Sequence, residues 1–164
     1  MIKKINIFFI TMFGIGRSKY APGTVASFVT SLIFIFFFIF EINILILILI
    51  VCVIFIYSVY AIDKYKNYFY EIDSKEIVID EFVGQSIPIF TAYSFIENTN
   101  TGIYILYTLI SFFLFRLFDI TKPYPVNIID KNMKNGLGVM LDDVIAGVYS
   151  SVIVLILISF MSYD

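Results

Sequence analysis

The chain contains no histidine and only one cysteine among its 164 residues. The absence of histidine excludes Ser-His-Asp catalysis, phosphatases with a histidine nucleophile and most zinc sites. The single thiol, Cys52, excludes a disulfide within the chain. Because Cys52 sits in the apolar run 44–56, we expect it to be a buried structural thiol. Any catalysis must therefore rest on Asp, Glu, Lys, Arg, Ser, Thr or Tyr, with or without a hard metal ion.

Charged residues are also few, and apolar residues dominate the composition. Hydrophobic residues make up 60% of the chain, and the mean hydropathy is +0.96. Soluble domains average roughly 45–50% apolar residues, so this composition indicates a membrane protein. The net charge of −2 gives no indication of a nucleic-acid partner.

Long apolar runs predict an all-α, polytopic membrane protein with four or five membrane helices. The run 27–62 is too long for one span of ~20 residues, so it is read as two helices, 24–40 and 44–62, joined by a tight turn. Two further spans are predicted at 103–118 and 144–161. The absence of a linker predicts one domain over 1–164.

Two segments leave alternatives open. Residues 82–96 are apolar but contain glycine, glutamine and proline, so they form either a short, kinked span or a re-entrant segment. Residues 5–13 resemble a signal peptide, but no cleavage site follows, and we expect a retained interfacial helix.

Basic residues are distributed unevenly among the predicted loops. With five crossings, every Lys and Arg falls on one side, whereas the turns 41–43 and 97–102 carry none. Basic loops are typical of the cytoplasmic side. The polar segments 63–80 and 119–141 are therefore expected to be cytoplasmic loops, and the predicted site residues lie on this side.

Two polar segments precede predicted helices on that side. In residues 14–24, Thr24 can cap the helix, and Arg17 with the free helix N–H groups can hold a phosphate. A capped helix with ordinary flanking charges is the alternative. Asp80 and Glu81 precede 82–96, where the helix dipole alone would favour acids.

Two more polar segments flank the later spans. Arg116 and Asp119 are three apart on a helix, which permits an ion pair, and Lys122 follows one turn later. Cations so close to a carboxylate are expected where they share a phosphate, although a helix stop would explain part of the pattern. Asp142 and Asp143 follow two glycines that free the backbone, and Asp142 could simply cap the last span. Together, carboxylates from three segments can converge as a Mg²⁺ site requires.

At these residues the chain resembles the phosphatidylglycerophosphatase A family, a small bacterial membrane family. The resemblance covers about 14–147 and includes the segments APGT (21–24), DEFVGQ (80–85), FDITKPYP (118–125) and GVMLDD (138–143). Asn135 stands where the family often has a second glycine. The resemblance implies Mg²⁺-dependent removal of the terminal phosphate of phosphatidylglycerophosphate, at the cytoplasmic face of the bacterial inner membrane.

The residues and the resemblance together lead to a set of expected roles. The metal ligands would be Asp80, Glu81, Asp142 and Asp143. Asp119 would be a further ligand or the base for the attacking water. The phosphate oxygens would be held by Arg116, Lys122, Arg17 and the helix start at Thr24.

Three alternatives have less support in the sequence. A CDP-alcohol phosphotransferase also uses acids and Mg²⁺ at a membrane edge, but its DGxxAR…GxxxDxxxD spacing is absent. A non-enzymatic transport subunit would require acids within the spans. A covalent aspartyl-phosphate on Asp119 lacks the expected DxDx(T/V) motif.

Overall fold

The computed structural model describes residues 2–69, 74–95 and 101–161. In these ranges the chain forms seven α-helices, two one-turn 3₁₀ helices and no strands, which confirms the all-α prediction. The α-helices are α1 Ile2–Ile10, α2 Pro22–Ile39, α3 Ile44–Tyr65, α4 Ile79–Phe95, α5 Thr101–Thr121, α6 Val126–Asn132 and α7 Gly136–Met161.

Four of these helices, α2, α3, α5 and α7, are long and apolar enough to cross a membrane. Only 22–33% of their apolar windows is buried inside the protein, so most of this surface faces outward. Outward residues such as Phe36, Leu49 and Phe113 are more than half exposed. Such a surface suits lipid rather than water. The prediction of a polytopic helical membrane protein is confirmed.

Helix α4 lies at the centre of the bundle. It packs against α7, α2, α5 and α3, and its residues Val83, Gln85 and Ile89 are buried. Its 17 residues form one continuous helix that contains Pro88, about 25 Å long at 1.5 Å per residue. Within the described ranges, the helices long and apolar enough to cross a membrane do not include α4, so the choice between a short, kinked span and a re-entrant segment stays a prediction.

Helices α4 and α7 approach each other closely because two glycines face each other between them. A Cβ atom on Gly147 would overlap the carbonyl oxygen of Gly84, and one on Gly84 would lie 2.7 Å from the carbonyl oxygen of Asp143. Small residues permit such backbone contact between membrane helices. This contact brings the first turn of α4 beside the second turn of α7.

Several helix starts differ from the prediction. Helix α2 begins at Pro22, which suits a first helical position, and Thr24 lies inside its first turn without capping it. Helix α7 begins at Gly136, so Asp142 lies in its second turn and is not a cap. The cap is Asn135, whose Oδ1 accepts a hydrogen bond from the Gly138 N–H at 2.8 Å.

The glycines before the last span were also misread. Gly136 is helical, and a Cβ there would overlap the carbonyl oxygen of Val59 on α3, so it serves close packing rather than backbone freedom. Likewise, Asp80 lies within α4 rather than in a loop. The predicted loop 119–141 contains α6, which follows a cis Tyr124–Pro125 bond.

Other predictions can be compared directly with the structure. The turn at 41–43 is confirmed, and Asn43 accepts a hydrogen bond from the Leu45 N–H at 2.8 Å at the start of α3. The predicted turn at 97–102 falls largely on 96–100, outside the described residues. Cys52 is exposed, so the prediction of a buried thiol is wrong. In lipid, an apolar neighbourhood does not imply a position in the core.

Candidate active site at one end of the bundle

Three carboxylates meet where α4 and α7 begin. Asp80 and Glu81 come from the first turn of α4, Asp143 comes from the second turn of α7, and one oxygen from each lies within 4.8 Å of the others. Asp80 is only 8% exposed and Asp143 only 4%. Like charges held so closely away from water repel each other. The group is therefore stable as three carboxylates only with a compensating cation.

The donor set fits a hard divalent cation. In the part of the chain that the structure describes, Oε2 of Glu81 and Oδ2 of Asp143 are buried and have no hydrogen-bond partner. Buried polar atoms normally have one, so such orphans require an explanation. Carboxylate oxygens are the ligands that Mg²⁺ prefers. These residues are suited to hold such an ion.

Arg116 connects this acid cluster to α5 and α2. Its Nη1 lies 2.5 Å from Oδ2 of Asp119 and 3.8 Å from Oε1 of Glu81, and it donates to Oγ of Ser27 at 3.5 Å. The side chains of Arg116, Asp119 and Glu81 are all 13–14% exposed. The predicted ion pair between Arg116 and Asp119 is confirmed. Because it is nearly buried, losing either partner would leave an uncompensated charge.

The start of α2 packs directly on these groups. A Cβ atom on Gly23 would overlap the Glu81 carboxylate and lie 3.1 Å from Nη1 of Arg116. The first turn of α2, which includes Thr24, therefore lies beside the site, as the sequence predicted. Its free N–H groups favour an anion there.

Lys122 organises a second group of acids at the same end. Its Nζ lies 2.6 Å from Oδ1 of Asp130 on α6 and 2.8 Å from Oδ2 of Asp142. Burial alone would lower the pKa of Lys122, but the hydrogen bonds to the two acids raise it above its ordinary value. Lys122 therefore stays charged and fixes α6 and α7 to the end of α5.

Besides Lys122, two of the predicted site residues are not brought to the acid cluster. Asp142, predicted as a metal ligand, pairs with Lys122 and accepts the Asp143 N–H at 3.1 Å, so it supports the cluster from the neighbouring position on α7. Arg17, predicted to bind phosphate, instead pairs with Glu76 at 3.6 Å, and both side chains are about half exposed. The structure therefore favours a set of three acids rather than four.

The sequence reasoning missed two residues. Gln85, one helical turn after Glu81, is fully buried, and neither its oxygen nor its nitrogen has a partner among the described residues. The signal was available, because Gln85 shares the helix face of Glu81 at a spacing of four. Asp130 carried no such signal, since α6 was read as part of a loop.

The fold and the site together define a polytopic membrane enzyme with a buried cluster of acids and a paired arginine at one end of its bundle. Residues 8–158 match the family model of phosphatidylglycerophosphatase A, which is nearly the whole chain. The chain belongs to the phosphatidylglycerophosphatase A family. It is thus a phosphatase of the phosphatidylglycerophosphatase class, which confirms the resemblance seen in the sequence.

Three relatives show how far the similarity extends. A putative phosphatidylinositol-3-phosphatase from Bacteroides thetaiotaomicron is 35% identical over 147 residues, which cover 88% of this chain and 87% of that protein. The phosphatidylglycerophosphatase A of Haemophilus influenzae is 39% identical over 82 residues, 50% of this chain and 45% of the relative. That of Escherichia coli is 35% identical over 79 residues, 48% and 41% of the two chains. No solved structure matches the chain.

Proposed function

We propose that this protein is a Mg²⁺-dependent phosphatase that removes the terminal phosphate of phosphatidylglycerophosphate to give phosphatidylglycerol. One observation carries the metal dependence: the carboxylates of Asp80, Glu81 and Asp143, two buried and one partly buried, lie within 4.8 Å of one another, and Glu81 and Asp143 have orphaned oxygens. These three residues would hold the ion. When bound, Mg²⁺ neutralises phosphate charge and lowers the pKa of a bound water.

The remaining site residues bind and orient the substrate. Arg116 presents a buried Nε without a hydrogen-bond partner among the described residues, and this N–H can donate to a phosphate oxygen. Asp119 fixes the guanidinium through the 2.5 Å contact. It also lies close enough to Glu81 and Asp143 to interact electrostatically with both, and we assign it as the base for the attacking water.

Lys122 and the start of α2 have supporting roles in this proposal. The two acids bound to Lys122 occupy two of its three N–H donors, which leaves one for a phosphate oxygen. The N–H groups around Thr24 add a dipole that favours the anion. Arg17, exposed and paired with Glu76, is left out of the phosphate site.

The membrane arrangement follows from the same residues. With α4 as a fifth crossing, the acid cluster lies on the side that carries all the lysines and arginines, which is the cytoplasmic side by the positive-inside rule. The headgroup would meet the site at the interface while the acyl chains remain in the bilayer. We place the enzyme in the bacterial inner membrane.

A second substrate deserves a direct comparison. The relative from Bacteroides thetaiotaomicron, whose name specifies a phosphatidylinositol 3-phosphate headgroup, matches along most of both chains. Both lipids are phosphate monoesters on a phospholipid, so the same acids and arginine would serve either. The headgroup preference is therefore the first property to measure.

The test is phosphate release by the purified protein in detergent, with either lipid, in Mg²⁺ or in EDTA. We expect release from phosphatidylglycerophosphate that requires Mg²⁺ and falls by ~10²-fold or more in Asp80→Asn and Asp143→Asn. Glu41→Gln, an exposed acid between α2 and α3 at the opposite end, is the matched control and should retain full activity. Full activity in both aspartate variants would overturn the metal assignment. Faster release from the inositol lipid would overturn the substrate assignment alone.

A further inference from the structure

An apolar groove runs along the outer surface of the bundle between α3, α4 and α7. Its volume is about 490 Å³, and it is lined by Ile48, Cys52, Phe55, Val83, Ile87 and Val144, among others. Ser86 is the one hydroxyl residue in the lining, and its Oγ donates to the carbonyl oxygen of Val83 at 2.7 Å. The groove therefore presents an apolar surface, without a hydrogen-bonding group, to any ligand that enters it.

The groove begins where the acid cluster ends. Asp80, Val83 and Ile87 are spaced at i, i+3 and i+7 on α4, so they share one face of the helix. From Val83 to Phe90 the groove follows α4 for about 10 Å, roughly two thirds of the hydrocarbon depth of one leaflet. One face of α4 thus carries a carboxylate of the acid cluster in its first turn and apolar residues of the groove in the turns that follow.

We propose that this groove binds one acyl chain of the phospholipid substrate and so positions its phosphate at the acid cluster. The proposal rests on the proposed function, because it takes a lipid phosphate as substrate. An amphiphile with a phosphate at one end and a hydrocarbon chain at the other matches both parts of the surface. Helix α3, which forms one wall, is the most apolar of the four candidate spans, so the groove opens towards lipid.

The expected benefit is positioning rather than tighter binding. An acyl chain in a membrane or micelle is already in an apolar medium, so moving it into the groove yields no hydrophobic gain. Holding the chain fixes where the headgroup lies, and a misplacement of about 1 Å can cost ~10²-fold in rate. A blocked groove should therefore lower the rate with long-chain substrate and leave short-chain substrate unaffected.

The first experiment fills the groove from α3. Cys52→Phe places a ring in the groove, and Val53→Phe, at the next position, is the matched control because Val53 is 65% exposed and outside the lining. Phosphate release is measured with phosphatidylglycerophosphate carrying long acyl chains and with acyl chains too short to reach Cys52. We expect Cys52→Phe to lower kcat/KM for the long-chain lipid about 10- to 100-fold, with short-chain activity and Val53→Phe unchanged. Equal effects of the two variants, or on the two lipids, would overturn the proposal.

A second measurement detects the chain without turnover. A phosphonate analogue of the substrate, with a photoactivatable diazirine in its acyl chain, is crosslinked to the wild-type protein in detergent micelles. A zwitterionic lipid with the same chains is the control. We expect the phosphonate to label residues 48–56 more strongly than the control does, and Cys52→Phe to abolish the difference.

The crosslinking outcomes separate this inference from the proposed function. Equal labelling by both lipids would identify ordinary boundary lipid, and no labelling would leave the groove to a second copy of the chain or another protein; either result overturns the inference. Selective labelling by a protein that releases no phosphate from phosphatidylglycerophosphate would instead support the groove and refute the assigned reaction.

Discussion

Replacing Lys122 by methionine tests whether the ion pairs of Lys122 with Asp130 and Asp142 support the cluster of three acids on α4 and α7. In the wild type, Lys122 bridges Asp130 and Asp142 at 2.6 and 2.8 Å. The substitution keeps most of the length of the side chain and removes its charge, so the Asp142 carboxylate, whose side chain is only 7% exposed, loses its pairing with Lys122. Breaking a buried pair costs about 3–5 kcal/mol. Because the Lys122 side chain is 28% exposed and partly screened by water, we expect the low end, about 3 kcal/mol.

The assay is thermal unfolding of the purified protein in detergent. For a chain of this size, a loss of about 3 kcal/mol lowers Tm by about 6–12 °C. The double variant Lys122→Met with Asp142→Asn removes both charges and should recover more than half of that loss. Phosphate release should stay low in both variants, because both lack the Lys122 N–H that we assign to a phosphate oxygen.

The pH dependence of the same pair provides an internal check. The hydrogen bonds raise the pKa of Lys122, so its contribution to stability is complete below the unfolded pKa of about 10.4 and is lost as pH rises through the folded value. The Tm difference between wild type and Lys122→Met should therefore stay constant from neutral pH to about pH 10. An unchanged Tm in the single variant, or no recovery in the double variant, would refute the reasoning.

Three further substitutions have expected outcomes that the same two assays can check. Gly23→Ala should reduce phosphate release by about 10-fold or more, because the new Cβ displaces the Glu81 carboxylate. Full activity would show that the start of α2 moves away and leaves the carboxylate in place. Arg17→Ala should leave kcat/KM within about threefold of wild type, since an exposed pair such as Arg17 with Glu76 contributes little; a large loss would restore Arg17 to the phosphate site. Asn135→Ala should lower stability by about 1 kcal/mol through loss of the α7 cap, and an unchanged Tm would argue against that cap.

The sequence predicted the helices better than their ends. Apolar runs located α2, α3, α5 and the apolar part of α7, because a membrane span must satisfy all its backbone hydrogen bonds internally. The start of α7 was placed eight residues late, at 144 rather than at Gly136. The reason is physical: at the membrane surface a helix can extend through polar residues, and hydropathy records only the lipid-facing part.

The candidate site was predicted in composition and only partly in geometry. The pair of Arg116 with Asp119 followed from helical spacing and is confirmed. Three of the four predicted metal ligands converge, but the separation of Asp142 from Asp143 could not be foreseen. Adjacent residues on a helix point about 100° apart, and which of the two faces α4 depends on packing between helices. Gln85 was missed because it was taken as an interruption of a span.

Gly84 and Gly147 hold α4 and α7 in close contact, so the distances within the acid cluster depend on the spacing of these two helices. Its carboxylates come from α4 and α7, and within the described chain no covalent crosslink holds these helices at that distance. A detergent or lipid that loosens the bundle slightly will therefore disperse the carboxylates while every helix remains intact. Activity should disappear well before helical circular dichroism changes, so the bilayer itself acts as a structural component of the enzyme.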